Sequence, residues 1–265
     1  MAKKITAIAT QKKAGRFNIY LDGKYAFSVS EDVLIKYRLA KGLELDEEMI
    51  EHLQQADLLS KAYNKALDHL SYQLRTKKEI KIYLTKLEVP ENDQNQIISK
   101  LVELNLLDDL AYAKSYVRTA AKTTDKGPFV IAQKLKQKGV AEEFINEALI
   151  EFSFEQQVQT ALKLAEKFVA KNKKLAFQAL KNKLYQHLAT KGFSSETISL
   201  VLEELALKKD DTLQLEALRE QGAKLLRRYQ RYPQPECFFK LKQALYRKGF
   251  SLSEIERYLA EITAE

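Results

Sequence analysis

K-L-K-Q-A-L-Y-R-K-G-F-S-L-S-E-I-E-R-Y-L, residues 240 to 259, reads as a helix, a Lys-Gly-apolar stop and a second helix. The same plan stands at residue 134 in K-L-K-Q-K-G-V-A-E-E-F-I-N-E-A-L and at residue 183 in K-L-Y-Q-H-L-A-T-K-G-F-S-S-E-T-I-S-L-V-L. Gly139, Gly192 and Gly249 fall where a helix stops in a left-handed residue, a conformation glycine reaches without a Cβ clash. Four residues before each glycine lies Leu135, Leu188 or Leu245, and nine and ten after it lie Ala148-Leu149, Val201-Leu202 or Tyr258-Leu259. The frame also fits residues 83 to 98, with Leu84 as anchor and Ile97-Ile98 following, although Glu88 stands where the glycine belongs.

Positions 88, 139, 192 and 249 lie 51, 53 and 57 residues apart, room for three helices in each interval. Capping boxes, in which a hydroxyl and a side chain three residues on satisfy each other's backbone donors, are expected at Thr76 with Glu79, Ser153 with Gln156 and Ser251 with Glu254. The expected body is therefore four tandem three-helix repeats, over residues 60–109, 110–153, 154–207 and 208–265. Repeats that touch mainly their neighbours make an elongated, curved array suited to an extended partner.

Residues 1–59 differ in period. In R-F-N-I-Y-L-D-G-K-Y-A-F-S-V, Phe17, Ile19 and Leu21 alternate, and so do Tyr25, Phe27 and Val29, which predicts a β-hairpin around Asp22-Gly23. A three-residue loop, Asp22 to Lys24, would put all six on one face. Residues 5 to 11 offer a third strand, and helices are expected near 31 to 40 and from the N-cap Asp46 to about 57. The fold class is thus mainly all-α, with a small β-hairpin/α module in front.

Composition narrows the chemistry. The chain has 265 residues, 45% hydrophobic and 30% charged, with 8 Gly and 4 Pro. The single cysteine, Cys237, rules out an internal disulfide framework and reads as a small core residue. No stretch approaches the ~20 apolar residues of a membrane span, and the basic start lacks a signal-peptide core, so a cytoplasmic protein is expected. There is no Walker loop, nucleophile elbow or His-x-x-x-His pair, and His52, His69 and His187 lie far apart in helical patterns. No catalytic residue, metal or cofactor is expected. The adjacent carboxylates of L-L-D-D-L-A-Y, Asp108 and Asp109, read as a helix start: one caps, the other sits in the first turn. Leu110, Ala113 and Val117 should face the core, and Ala111 should allow close helix approach.

The net charge of +8 lies entirely beyond residue 110, where a polyanion or acidic protein surface would be met. Lys163, Lys167, Lys171 and Lys174 share one helical face, and Lys224, Arg228 and Arg231 share another. Lys167 and Lys171 stand 57 residues before Lys224 and Arg228, the spacing of the last two frame glycines. R-R-Y-Q-R-Y, residues 227 to 232, interleaves aromatic with basic side chains and suits nucleic-acid backbone contacts.

L-S-Y-Q-L-R-T-K-K-E-I at 70 to 80, N-L-L-D-D-L-A-Y-A-K-S-Y-V at 105 to 117 and G-P-F-V-I-A-Q-K-L-K-Q-K-G-V at 127 to 140 together resemble the RecX family, regulators of the RecA recombinase. The N-terminal segment is similar to the module that precedes the repeats in longer members; short members have three repeats and no such module. The resemblance implies tandem three-helix repeats and no catalytic site. It further implies binding along the RecA-DNA filament with inhibition of RecA ATPase and strand exchange, in recombinational repair and the SOS response. The partners implied are the RecA filament and single- or double-stranded DNA, for a monomer that avoids membranes. From charge and spacing, the contact candidates are Arg75, Lys78, Lys134, Lys136, Lys138, Lys163, Lys167, Lys171, Lys224, Arg227, Arg228, Arg231, Arg247 and Lys248. The rival reading is an autonomous DNA-binding protein whose helix, Lys-Gly turn, helix unit acts as a helix-turn-helix.

Overall fold

The computed structural model describes residues 2–12, 14–206 and 210–264. The chain forms two compact units, one of Met1–Ala113 with Lys136–Phe144 and one of Lys114–Leu135 with Ile145–Glu265.

The first unit opens with strands β1 (Lys3–Thr10), β2 (Arg16–Leu21) and β3 (Lys24–Ser30), helix α1 (Glu31–Lys36) and a short β4 (Glu44–Leu45). They form an antiparallel sheet of order β3-β2-β1-β4, so the third strand is present and β4 pairs beside it, an edge no apolar alternation announced. The hairpin corrects the expected loop. Leu21 pairs directly with Lys24, leaving the two-residue turn Asp22-Gly23 with φ of 48° and 84°. Positive φ at both positions is the geometry that matches strand twist. A register shift then pairs Tyr20 with Tyr25 but Ile19 with Phe27, so Ala26 is the extra residue of a bulge. The bulge brings Phe27 and Val29 onto the buried face with Ile19 and Leu21, while Tyr25, ahead of it, is 58% exposed.

Helix α1 is shorter than expected and stops where Arg38 takes a left-handed φ of 49°. Asp46 caps α2 by accepting from the Met49 N–H at 2.7 Å, but α2 (Glu47–Ser71) runs through residue 59 as one helix of 25 residues. It belongs to the module at one end and to the first repeat at the other. Leu53 joins the sheet core with Ile5, Ile19 and Val29. Ala62 and Ala66 join Ile80, Leu84, Ile97 and Leu101 of α3 (Lys77–Lys86) and α4 (Glu91–Glu103).

The repeats continue with α5 (Asp109–Thr123), α6 (Pro128–Gln137), α7 (Glu142–Leu149), α8 (Phe154–Lys171), α9 (Phe177–Thr190) and α10 (Ser195–Glu204), then α11 (Asp211–Tyr229), α12 (Gln234–Arg247) and α13 (Leu252–Ala264). The anchor leucines Leu84, Leu135, Leu188 and Leu245 are all fully buried, as are Ile97, Ala148, Val201 and Tyr258 at the following frame position. The turn residues share one backbone geometry: φ is 58° at Glu88, 83° at Gly139, 92° at Gly192 and 91° at Gly249. Both bonds of the capping boxes form at Thr76/Glu79 and Ser251/Glu254; at Ser153 the hydroxyl accepts from the Gln156 N–H. Ala113 and Val117 are buried and Leu110 partly so, whereas Ala111 is exposed and Tyr112 is buried in its place. Cys237 is buried.

Candidate functional site

Successive repeats meet through one recurring joint. The N-terminus of the second helix in one repeat receives the left-handed turn that follows the second helix of the next. At the first joint, Thr76 Oγ1 donates to the Lys138 carbonyl at 2.8 Å and Lys78 Nζ to the Gln137 carbonyl at 3.0 Å. A Cβ on Gly139 would lie 2.5 Å from Lys78 Cδ. At the second joint, the Gly127 and Phe129 N–H groups donate to the Lys191 and Gly192 carbonyls at 2.7 and 3.1 Å, and Lys191 pairs with Asp125. A Cβ on Gly192 would lie 2.6 Å from the Val130 nitrogen. At the third, the Gly249 turn packs on Ala179, 3.0 Å from the built Cβ position to the Ala179 nitrogen.

Polar side chains from the first helix of the next repeat complete the first and third joints. Asp109 accepts from the Lys77 N–H at 2.8 Å, and Gln214 Oε1 accepts from the Phe177 N–H at 2.9 Å. Asp57 plays the same part between module and first repeat, accepting from the Ser30 N–H at 2.8 Å and from Arg16 through both oxygens at 3.0 Å. All three are buried, so the helix-start donors they satisfy have no water to turn to. The carboxylate pair thus divides its work. Asp108 caps its own helix, accepting from the Leu110 and Ala111 N–H groups at 2.8 and 3.0 Å, while Asp109 reaches back to the preceding repeat. Burial pushes the Asp109 carboxyl above its usual range, against the lowering effect of the Lys77 N–H. For Asp57 burial pulls upward too, but Arg16 and Lys61 outweigh it and hold the carboxyl below the usual range.

The candidate cations fall into two groups. Lys78 and Lys138 are built into the first joint. Lys138 pairs with Glu79 at 2.6 Å and lies over the Tyr112 ring; burial alone would lower its ammonium, and its bonds to Glu79 and Tyr112 raise it instead. Arg75 is half-buried beside them; with the Gln73 amide oxygen turned toward it, both its terminal nitrogens donate at 3.0 Å. Lys134 and Lys136 are exposed on α6.

The other group is a surface of the last two repeats. Lys163, Lys167 and Lys171 are exposed along α8 and make no ion pair among the described residues. Lys224, Arg227 and Arg228 are exposed along α11, and Arg231 lies just beyond it. Lys174 does not share the α8 face as its spacing suggested, because α8 ends at Lys171; Glu220 ties α11 to the turn that follows α8, accepting from Lys224 at 2.8 Å and from Lys174 at 3.0 Å. The Lys224 bond, then that of Lys174, lowers the Glu220 carboxyl. Arg231 and Lys240 flank the Tyr232 ring at 5.1 and 4.5 Å, and Arg228 lies 5.9 Å from Tyr229. Arg247 and Lys248 are exposed at the end of α12. Among the described residues no group of three His, Cys, Asp or Glu side chains could hold a metal ion, and no helix is long and apolar enough to cross a membrane. Asp57 and Gln214 carried no signal as joint residues in the sequence beyond being polar at positions on a buried helical face.

A β-sheet module followed by three-helix domains joined in series through helix N-termini defines a class of tandem-repeat protein. Family models agree segment by segment: the regulatory protein RecX N-terminal domain matches residues 3–46, the RecX first three-helix domain 62–101, the second 108–149, and the third twice, at 155–202 and 212–259. The chain belongs to the RecX family of regulatory proteins. It is 45% identical over 258 residues to regulatory protein RecX of Levilactobacillus brevis, covering 97% of both chains. To the Bacillus subtilis protein of that name it is 43% identical, covering 97% of this chain and 98% of that one. A crystal structure of regulatory protein RecX superposes with a TM-score of 0.73 at 46% identity, over 76% of this chain and 99% of the other. RecX from Lactobacillus salivarius gives 0.56 at 43%, over 58% and 99%.

Proposed function

We propose that this protein is a non-enzymatic cytoplasmic regulator of RecA that binds the RecA-DNA filament and restrains ATP turnover and strand exchange in recombinational repair and the SOS response. Family membership along the whole chain is the observation that carries this reading. The repeats lie along the filament and bridge neighbouring RecA protomers, with the α8 and α11 basic faces toward acidic protein surface or DNA phosphate. Bridging hinders the protomer motions coupled to ATP hydrolysis. The exposure of Lys163, Lys167 and Lys171, without ion pairs among the described residues, supports this face as the contact; Lys78 and Lys138, engaged at a joint, contribute by holding the array.

The test is single-stranded-DNA-dependent ATP hydrolysis by the cognate RecA with and without this protein. Inhibition is expected at protein levels too low to coat the DNA, and Lys167→Glu with Lys171→Glu, Lys224→Glu and Arg228→Glu should abolish it while the helical signal stays intact. Unchanged inhibition by that folded variant would remove the basic face from the mechanism. High affinity for naked DNA with a steep salt dependence, and no effect on RecA, would favour the autonomous DNA-binding reading.

A further inference from the structure

Two halves of a joint are left open. The first is a groove of about 680 Å³ in the first unit, between the start of α1 and the Leu87–Pro90 turn of the first repeat. At the later joints the corresponding turn packs on a helix N-terminus. Here the Leu87 and Glu88 carbonyls, the counterparts of Lys138, Lys191 and Gly192, accept no hydrogen bond from the described residues. Among the described residues, five carboxylates, Glu31, Asp32, Asp68, Glu88 and Asp93, line the groove, and of three cations there Arg16 and Lys61 are already paired with Asp57. Leu58, 62% exposed, adds an apolar spot.

The second open half is the start of α12. The residue preceding the second helix is buried in the first three repeats, at Thr76, Gly127 and Ala176, but Pro233 is exposed, and so are Gln234, Pro235 and Glu236. Glu236 stands 57 residues after Ala179, which carries the turn at the third joint, and Phe239 lies one helical turn further on the same face, 62% exposed. Pro235 lacks one donor, leaving the Gln234 and Glu236 N–H groups. Arg228, Arg231 and Lys240 gather around Tyr229 and Tyr232 at this end, and Lys240 neutralises Glu236 at 3.2 Å.

We propose that the two halves complete each other between copies of this chain: the α12 N-terminal end of one protomer enters the groove beside the Glu88 turn of another, giving head-to-tail association. Each contact would repeat the internal joint, with helix-start donors on the Leu87 and Glu88 carbonyls, Phe239 against Leu58, and cations against the carboxylate lining. One copy keeps one half free after docking, so the contact is heterologous and further copies can add. The expected monomer becomes the dilute species. This inference is independent of the partner proposed above.

Sedimentation velocity of the full chain tests it. The weight-average mass should rise with concentration in low salt and fall back in high salt. Asp32→Lys with Glu88→Lys, or separately Arg228→Glu with Arg231→Glu, should weaken the association about tenfold or more. Mixing the two variants should restore association beyond a dimer, because the wild-type halves meet in one contact and the reversed charges face each other in the next; variants whose altered halves were merely misfolded could reach no more than a dimer. A wild-type chain that stays monomeric at every concentration, or one whose association ignores both reversals, overturns the proposal.

Discussion

Glu88 and Gly192 occupy the same frame position, yet a side chain costs them different things. Glu88 holds a left-handed φ of 58° and is exposed, whereas a Cβ on Gly192 would drive into backbone of α6. Glu88→Gly should raise stability by about 0.5–1 kcal/mol, because a left-handed L-residue costs roughly that much or more and glycine returns part of it as unfolded-state entropy. Gly192→Ala should destabilise by more than about 2 kcal/mol, since strain and collision add; urea midpoints of both variants check the two signs. The paired joint carboxylates also differ. Asp57 has its folded pKa lowered, so its stabilisation is present above the unfolded value of 3.8 and is lost as pH falls through the folded value. Asp57→Ala should cost about 3–5 kcal/mol by leaving Arg16 without its buried partner. Asp109 has its folded pKa raised, so the folded state is favoured as pH falls through that value toward 3.8, the opposite slope. Asp109→Asn keeps an oxygen for the Lys77 N–H and should remove that slope in acid titrations followed by circular dichroism. The sequence displayed the glycines and their anchors openly, because a turn and a core leave a period. It displayed Asp108 as a cap but not Asp109 as a cross-repeat acceptor, since partners far apart in the chain leave no local pattern.

At the level of elements, the hairpin shows how an alternating pattern can be read correctly in content and wrongly in register. Five of the six alternating apolar residues do share the buried side. The device that achieves it is a two-residue turn plus a bulge at Ala26, not a longer loop, and Tyr25 is the residue left on the other side. Deleting Ala26 should therefore flip Phe27 and Val29 out of the sheet core and unfold the module, with loss of the strand signal; shortening a featureless loop would not do so. Helix α2 was legible at its start, where Asp46 caps it, but not in its length. Its apolar stripe serves the sheet core first and the repeat core next, and the change of partner carries no helix break. The basic faces of α8 and α11 were legible from spacing alone, because solvated lysines repeat with the helix. The Glu220 link from α11 to Lys174 in the turn after α8 was not, as it depends on how two repeats meet.

Over the whole molecule, each repeat carries both parts of a joint: a second-helix start that receives, and a turn that is received. The third-domain model fits the last two repeats alike, 57 residues apart at their starting residues. A copy of such a coding segment inserted in frame therefore arrives with matching ends, and every new boundary closes with parts already present. Length in this lineage can then change by one whole domain in a single genetic event, up or down, without new surface having to be invented; what selection must refine afterwards is only which side chains the added domain shows to its partner.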